Sequence, residues 1–153
     1  MRFCTARQVA TLLAVLVLAC GAADAPSHAQ QPAPPSPVLF LQRVESVTTG
    51  GKEMLRYHLG VSNSAAYPDA MFASAPELPP CGQNAKASRT WVDVFAQDGK
   101  RLNGFCAFGK ASDLNSIWFA LEAGAVPPSW VYIELNDRAT NTKLKSNLAD
   151  TSL

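Results

Sequence analysis

Histidine is scarce in this chain. There are two in 153 residues, His28 and His58. A serine or cysteine hydrolase of the common kind needs a histidine base oriented by a third group, and a zinc centre needs several nitrogen, sulfur or oxygen ligands. His28 falls in a segment expected to be removed, so His58 would have to serve either chemistry alone. It stands beside Met54 and Arg56 on the polar face of an alternating strand, the place of a solvated strand histidine. No catalytic residue, metal site or cofactor is expected, and the chain is read as non-enzymatic.

Charge of one sign is lacking as well. The chain has 13 Lys plus Arg and 12 Asp plus Glu; Arg2, Arg7 and Asp24 lie in the first 29 residues, which leaves eleven of each sign. A nucleic-acid partner usually requires a basic stripe and a peripheral membrane binder a basic amphipathic helix. Neither is present. Gly50-Gly51 is a turn and does not resemble a phosphate loop. No internal repeat stands out, which argues against a propeller or solenoid.

The chain has a single long apolar run, and it is short for a membrane. Arg2 and Arg7 precede Val9 to Cys20, roughly a dozen residues where a spanning helix needs about 20. A charged start, a short apolar core and small residues after it form the pattern of a secretory signal. Ser27-His28-Ala29 fits a peptidase site and gives a domain plan of signal 1–29, spacer 30–37 and domain 38–153. Ala23-Asp24-Ala25 also fits, but Pro26 would follow the cut. Val17-Leu18-Ala19-Cys20 resembles a bacterial lipobox, which would make Cys20 an acylated N-terminus and "QQPAPPSP" a tether. Either route places the protein outside the cytoplasm, as a periplasmic, secreted or lipid-anchored chain that does not span the membrane.

Four cysteines reduce to few. Cys4 lies in the signal and Cys20 is removed or acylated. Cys81 and Cys106 remain, with no C-x-x-C. In an exported chain such a pair is expected as a disulfide. It would close a loop of about 26 residues and contribute roughly 3 kcal/mol.

The rest of the chain is written in short strands. "VLFLQRVESV" is rich in β-branched and aromatic residues, and Gly50-Gly51 turns it. In "MLRYHLGVS", Leu55, Tyr57, Leu59 and Val61 alternate with Met54, Arg56, His58 and Gly60. Residues 63–88 are crowded with proline and turn formers, with a short strand expected around Met71 to Ala73. "RTWVDVF" and "RLNGFCAFG" flank Asp98-Gly99, a strong hairpin signal, which pairs strands near Val92 and Phe105. "SDLNSIWFALE" suggests a helical turn capped by Ser112 and then a strand through Phe119. "SWVYIELND" places Val131, Ile133 and Leu135 on one face and Trp130, Tyr132 and Glu134 on the other. "TKLKSNLA" ends the domain. About seven strands and no long amphipathic helix predict an all-β fold, an antiparallel β-sandwich.

The stretch from Leu121 through Pro127, Tyr132, Leu135 and Asp137 to Ser146 resembles the end of a fibronectin type III-like or immunoglobulin-like domain. There a leucine-proline corner leads into a tyrosine-bearing strand and a hairpin. The resemblance implies a fold of that class and no activity.

Two surfaces stand out as contact candidates. One is the loop 63–88. The other is an aromatic face around Trp91, Trp130 and Tyr132, near Phe95. These are the expected binding residues of an exported interaction module whose partner is an unknown protein or carbohydrate. Asp93, Glu134 and Asp137 are the carboxylates a small glycosidase would use, the alternative from another class. A structural subunit of an envelope assembly is a third. Oxygens of "NDRATN", residues 136–141, lack the spacing of a calcium loop.

Overall fold

A computed structural model describes residues 33–83 and 85–152. The expected signal segment, Cys20 and the start of the spacer lie outside the described residues.

Glycine sets the first hairpin. Gly50 and Gly51 have φ of +58° and +77°, the left-handed pair that a two-residue turn between twisted strands requires. They join β1 (Leu39–Thr49) to β2 (Lys52–Val61). A bulge between Leu41 and Arg43 shifts the register of this pair by one residue. Further on, β3 (Thr90–Ala96) and β4 (Arg101–Phe105) form the hairpin around Asp98-Gly99, with Val92 opposite Phe105 as expected. β5 (Ile117–Glu122) returns to β2, β6 (Trp130–Asp137) pairs with β3, and β7 (Thr142–Lys145) with β6. A short β8 (Ala149–Asp150) pairs with the start of β6.

The result is two antiparallel sheets, one of three strands ordered β1-β2-β5 and one of five ordered β4-β3-β6-β7 with β8 beside β6. The fold is an all-β sandwich, as expected. Period-two alternation explains how it closes. Leu59, Val61, Ile117 and Phe119 of one sheet meet Val92, Val94, Val131, Ile133 and Leu135 of the other, each at most 1% exposed. Tyr57 stacks on its cross-strand partner Phe119, rings 4.7 Å apart and nearly parallel. At the lateral edge Asn147 ties the sheets together. Its amide accepts from the Leu39 N–H at 2.7 Å and donates to the Leu39 carbonyl at 3.0 Å.

The loop 63–88 corrects one expectation. Met71 to Ala73 form no strand: Asp69–Phe72 is a 3-10 turn that buries Met71 and Phe72. Phe72 is fully buried and Tyr67 nearly so. A strand sends successive side chains to opposite faces, so it could not bury the neighbours Met71 and Phe72 together, whereas a tight turn does. Backbone bonds from Arg89 to Ala73 and from Ala75 to Ala87 zip the loop to the root of β3, and Thr90 Oγ1 donates to the Met71 carbonyl at 2.6 Å. The Cys81–Cys106 disulfide, with Cα atoms 5.5 Å apart, joins the loop to the end of β4. The spacer's last residues are also held. Tyr67 Oη donates to the Pro35 carbonyl at 2.7 Å and Asn63 to Ser36 at 2.9 Å. Burial of the Tyr67 hydroxyl pushes its pKa up to about 12.

A second correction concerns the turn before β5. Ala111–Ser116 is a 3-10 turn as expected, but Ser112 does not cap it. Asp113 does, accepting the Gly109 and Lys110 N–H groups at 2.8 and 3.1 Å. A carboxylate is the stronger acceptor for free amide donors at a turn start.

Candidate functional site

The three tryptophans occupy three different environments. Trp91, on the outer face of β3, donates its indole N–H to the Ser88 carbonyl at 3.0 Å. The Arg138 guanidinium lies 4.4 Å from its ring centroid. Arg138 is placed by the residue before it: Asp137 is buried and accepts two hydrogen bonds from Arg89, at 2.8 and 2.7 Å. Burial alone pushes the Asp137 carboxyl up; hydrogen bonds from Arg89, Thr140 and the Ala139 amide outweigh it and leave the pKa below the usual value. Trp118, on the outer face of the three-stranded sheet, is covered by Arg56 at 4.8 Å and meets the edge of Phe105 at 5.9 Å.

Trp130 differs. It opens β6, is 40% exposed, and among the described residues no ring or cation lies over its indole. Its carbonyl is fixed by the Gln97 N–H at 3.0 Å. On the same face Tyr132 is nearly buried, because Phe95 stacks against it at 5.2 Å and the Lys145 ammonium stands 3.9 Å above its ring.

The expected aromatic face is therefore not one open surface. Phe95 pairs with Tyr132, and Trp91 pairs with Asn136. Between them lies a charged row in which Asp93 faces Glu134 and Glu134 faces Lys145. Arg101 neutralises Asp93 at 2.6 Å. Gly104 makes room for that pair, since a side chain there would meet both the guanidinium and the carboxylate. Trp130 stands at one end of the face and Trp91 at the other, divided by ions. Of the binding residues expected from sequence, Trp130 is exposed, Tyr132 is nearly buried on the same face, and Trp91 is roofed.

Asp93 and Glu134 are cross-strand neighbours on the outer face, where Arg101 pairs with Asp93, while Asp137 is committed to Arg89 and the Ala139 N–H. His58 is not solvated as expected: its side chain is 14% exposed, and Nε2 lies 2.7 Å from Glu45. Arg43 and Arg56 flank the same carboxylate, both at 3.7 Å. The hydrogen bond from His58, with these charges, holds the Glu45 carboxyl below its usual range against the opposing effect of desolvation. Sequence reasoning missed this cluster; its members alternate on β1 and β2 and become neighbours through the register that the two-residue Gly50-Gly51 turn sets.

An open hollow of about 390 Å³ is lined by Ser64, Tyr67, Asp69, Lys110 and Ser112. It lies where the loop 63–88 meets the turn before β5. Among the described residues no helix is long and apolar enough to cross a membrane. No family model matches the chain, and no curated protein or solved structure matches it either.

Proposed function

We propose that this protein is an exported, non-enzymatic binding module that grips its partner with the Trp130 end of the five-stranded sheet. The observation that carries this is the contrast in tryptophan cover. Trp91 and Trp118 each lie under an arginine, while Trp130 is left 40% exposed beside the Tyr132–Phe95 stack. A large aromatic left open on a rigid strand is the residue type that anchors interfaces. The same outer face carries a row of carboxylates and cations beyond Tyr132, a mixed polar and aromatic surface that suits a protein partner. The Cys81–Cys106 disulfide supports an oxidising, extracytoplasmic location.

Capture from the envelope fraction of the native cell, with wild type beside Trp130→Ala and Trp91→Ala, tests the proposal. Trp130→Ala is expected to lose one defined partner while remaining folded, and Trp91→Ala to keep it at matched folded concentration. Retention of every partner by Trp130→Ala overturns the reading. Capture of polysaccharide in place of protein moves the partner to the carbohydrate class.

A further inference from the structure

The sheets end in strand edges, and most of those edges carry a blocking device. Asn103 serves two of them. It donates to the Trp118 carbonyl on β5 at 2.9 Å and accepts the Gly104 N–H on β4 at 2.8 Å. β7 is four residues long and carries Lys143 and Lys145. The β1 edge is blocked only at its start, where Asn147 covers Leu39 and the bulge follows. From Val44 to Thr48 β1 is regular, and among the described residues β2 alone pairs with it.

Parity identifies the groups on that edge. Thr49 closes the two-residue hairpin against Lys52, so its N–H and C=O face β2. The Glu53 carbonyl, opposite Thr48, points to the far side and accepts from Ala123 at 2.9 Å. Val44, Ser46 and Thr48 therefore turn their N–H and C=O groups away from the sheet. The segment Val-Glu-Ser-Val-Thr has neither proline nor lysine to protect the edge, and its one charge, Glu45, is engaged by His58 and Arg43.

We infer that this edge pairs with the same edge of a second copy, antiparallel and centred on Ser46, joining two three-stranded sheets into one of six. The sequence favours a second copy because the segment is self-complementary in that register. Ser46 meets Ser46, Val44 meets Thr48, and Glu45 meets Val47, with no like charges opposed. Moving the centre to Glu45 would set two carboxylates face to face, which is unfavourable. Such a contact is isologous and closes as a dimer. It is small, so the association is weak. It leaves both Trp130 faces free and gives the particle two of them, a gain in avidity on a repeating partner. The inference does not depend on the binding role of Trp130.

Sedimentation equilibrium of the purified protein, over micromolar to millimolar concentration, tests it with three variants. Wild type is expected to dimerise reversibly. Ser46→Pro removes an outward N–H that the fold does not use, a change edge strands tolerate, and is expected to remain monomeric. Val47→Lys would face Glu45 of the second copy twice and tighten the dimer about three- to tenfold; Val47→Glu would weaken it by a similar factor. If Ser46→Pro fails to fold, the opposite responses of the two Val47 variants decide. A wild type that is monomeric throughout, or Val47→Lys and Val47→Glu dimers of equal strength, overturns the inference.

Discussion

The two outer faces of the sandwich use the same residue types to opposite ends. On the three-stranded sheet, Arg56 covers Trp118 and also reaches Glu45, which His58 and Arg43 share. The tryptophan and the ionic side chains there are occupied by neighbours, although Phe40 near the start of β1 is 42% exposed. On the five-stranded sheet the pattern holds at Trp91, under Arg138, and at Tyr132, under Lys145, but stops at Trp130. An arginine or lysine over a ring shields apolar area and keeps its charge near water. Where that cover is missing, the area stays available to another molecule. Exposure of a tryptophan is thus a matter of which cation the neighbouring strand supplies.

The largest expected effect breaks the roofed side of this contrast. Asp137→Ala leaves Arg89 without its buried partner and loosens the turn that carries Arg138. Its expected cost is about 3 kcal/mol, read by urea denaturation, with a red shift of Trp91 emission. The same pair predicts a pH response. The folded pKa of Asp137 lies below its ordinary value of 3.8. Its stabilisation is therefore complete above that value and is lost as pH falls through the folded one.

The next effect sharpens the contrast directly. Trp91→Ala and Trp118→Ala each remove a half-buried, covered ring, at an expected cost of about 2 kcal/mol. Trp130→Ala should cost less than about 0.5 kcal/mol, as a surface substitution. Equal costs for all three would erase the distinction. The smallest effect concerns the occupied face. Glu45 is held below its usual value of 4.5 by His58 and the two arginines. An NMR titration should find its carboxyl transition shifted to lower pH in wild type and restored towards the ordinary value in His58→Ala. What stability it adds is present above the ordinary value and lost on acidification through the lowered one.

Much of the fold was legible in the sequence because strands announce themselves locally. Leu55, Tyr57, Leu59 and Val61 alternate as written, and Asp98-Gly99 placed Val92 opposite Phe105. The two cysteines left after the first segment pair with each other. The loop 63–88 was not legible. Its core residues, Tyr67, Met71 and Phe72, follow no period, since tight turns around Pro68 aim them inward one by one. The site was legible only in part. Trp130, Tyr132 and Trp91 were marked as one face by alternation on β3 and β6. Their cover comes from Lys145 and Arg138, beyond the strands that hold the rings, and no spacing rule links those residues to them.

The claim that Trp130 is the open contact is tested most directly by a photo-cross-linking residue placed in turn at positions 130 and 118, in the native compartment. Illumination should yield a discrete partner adduct from position 130 and none from position 118. Adducts of equal yield from both positions, or from 118 alone, would contradict the account.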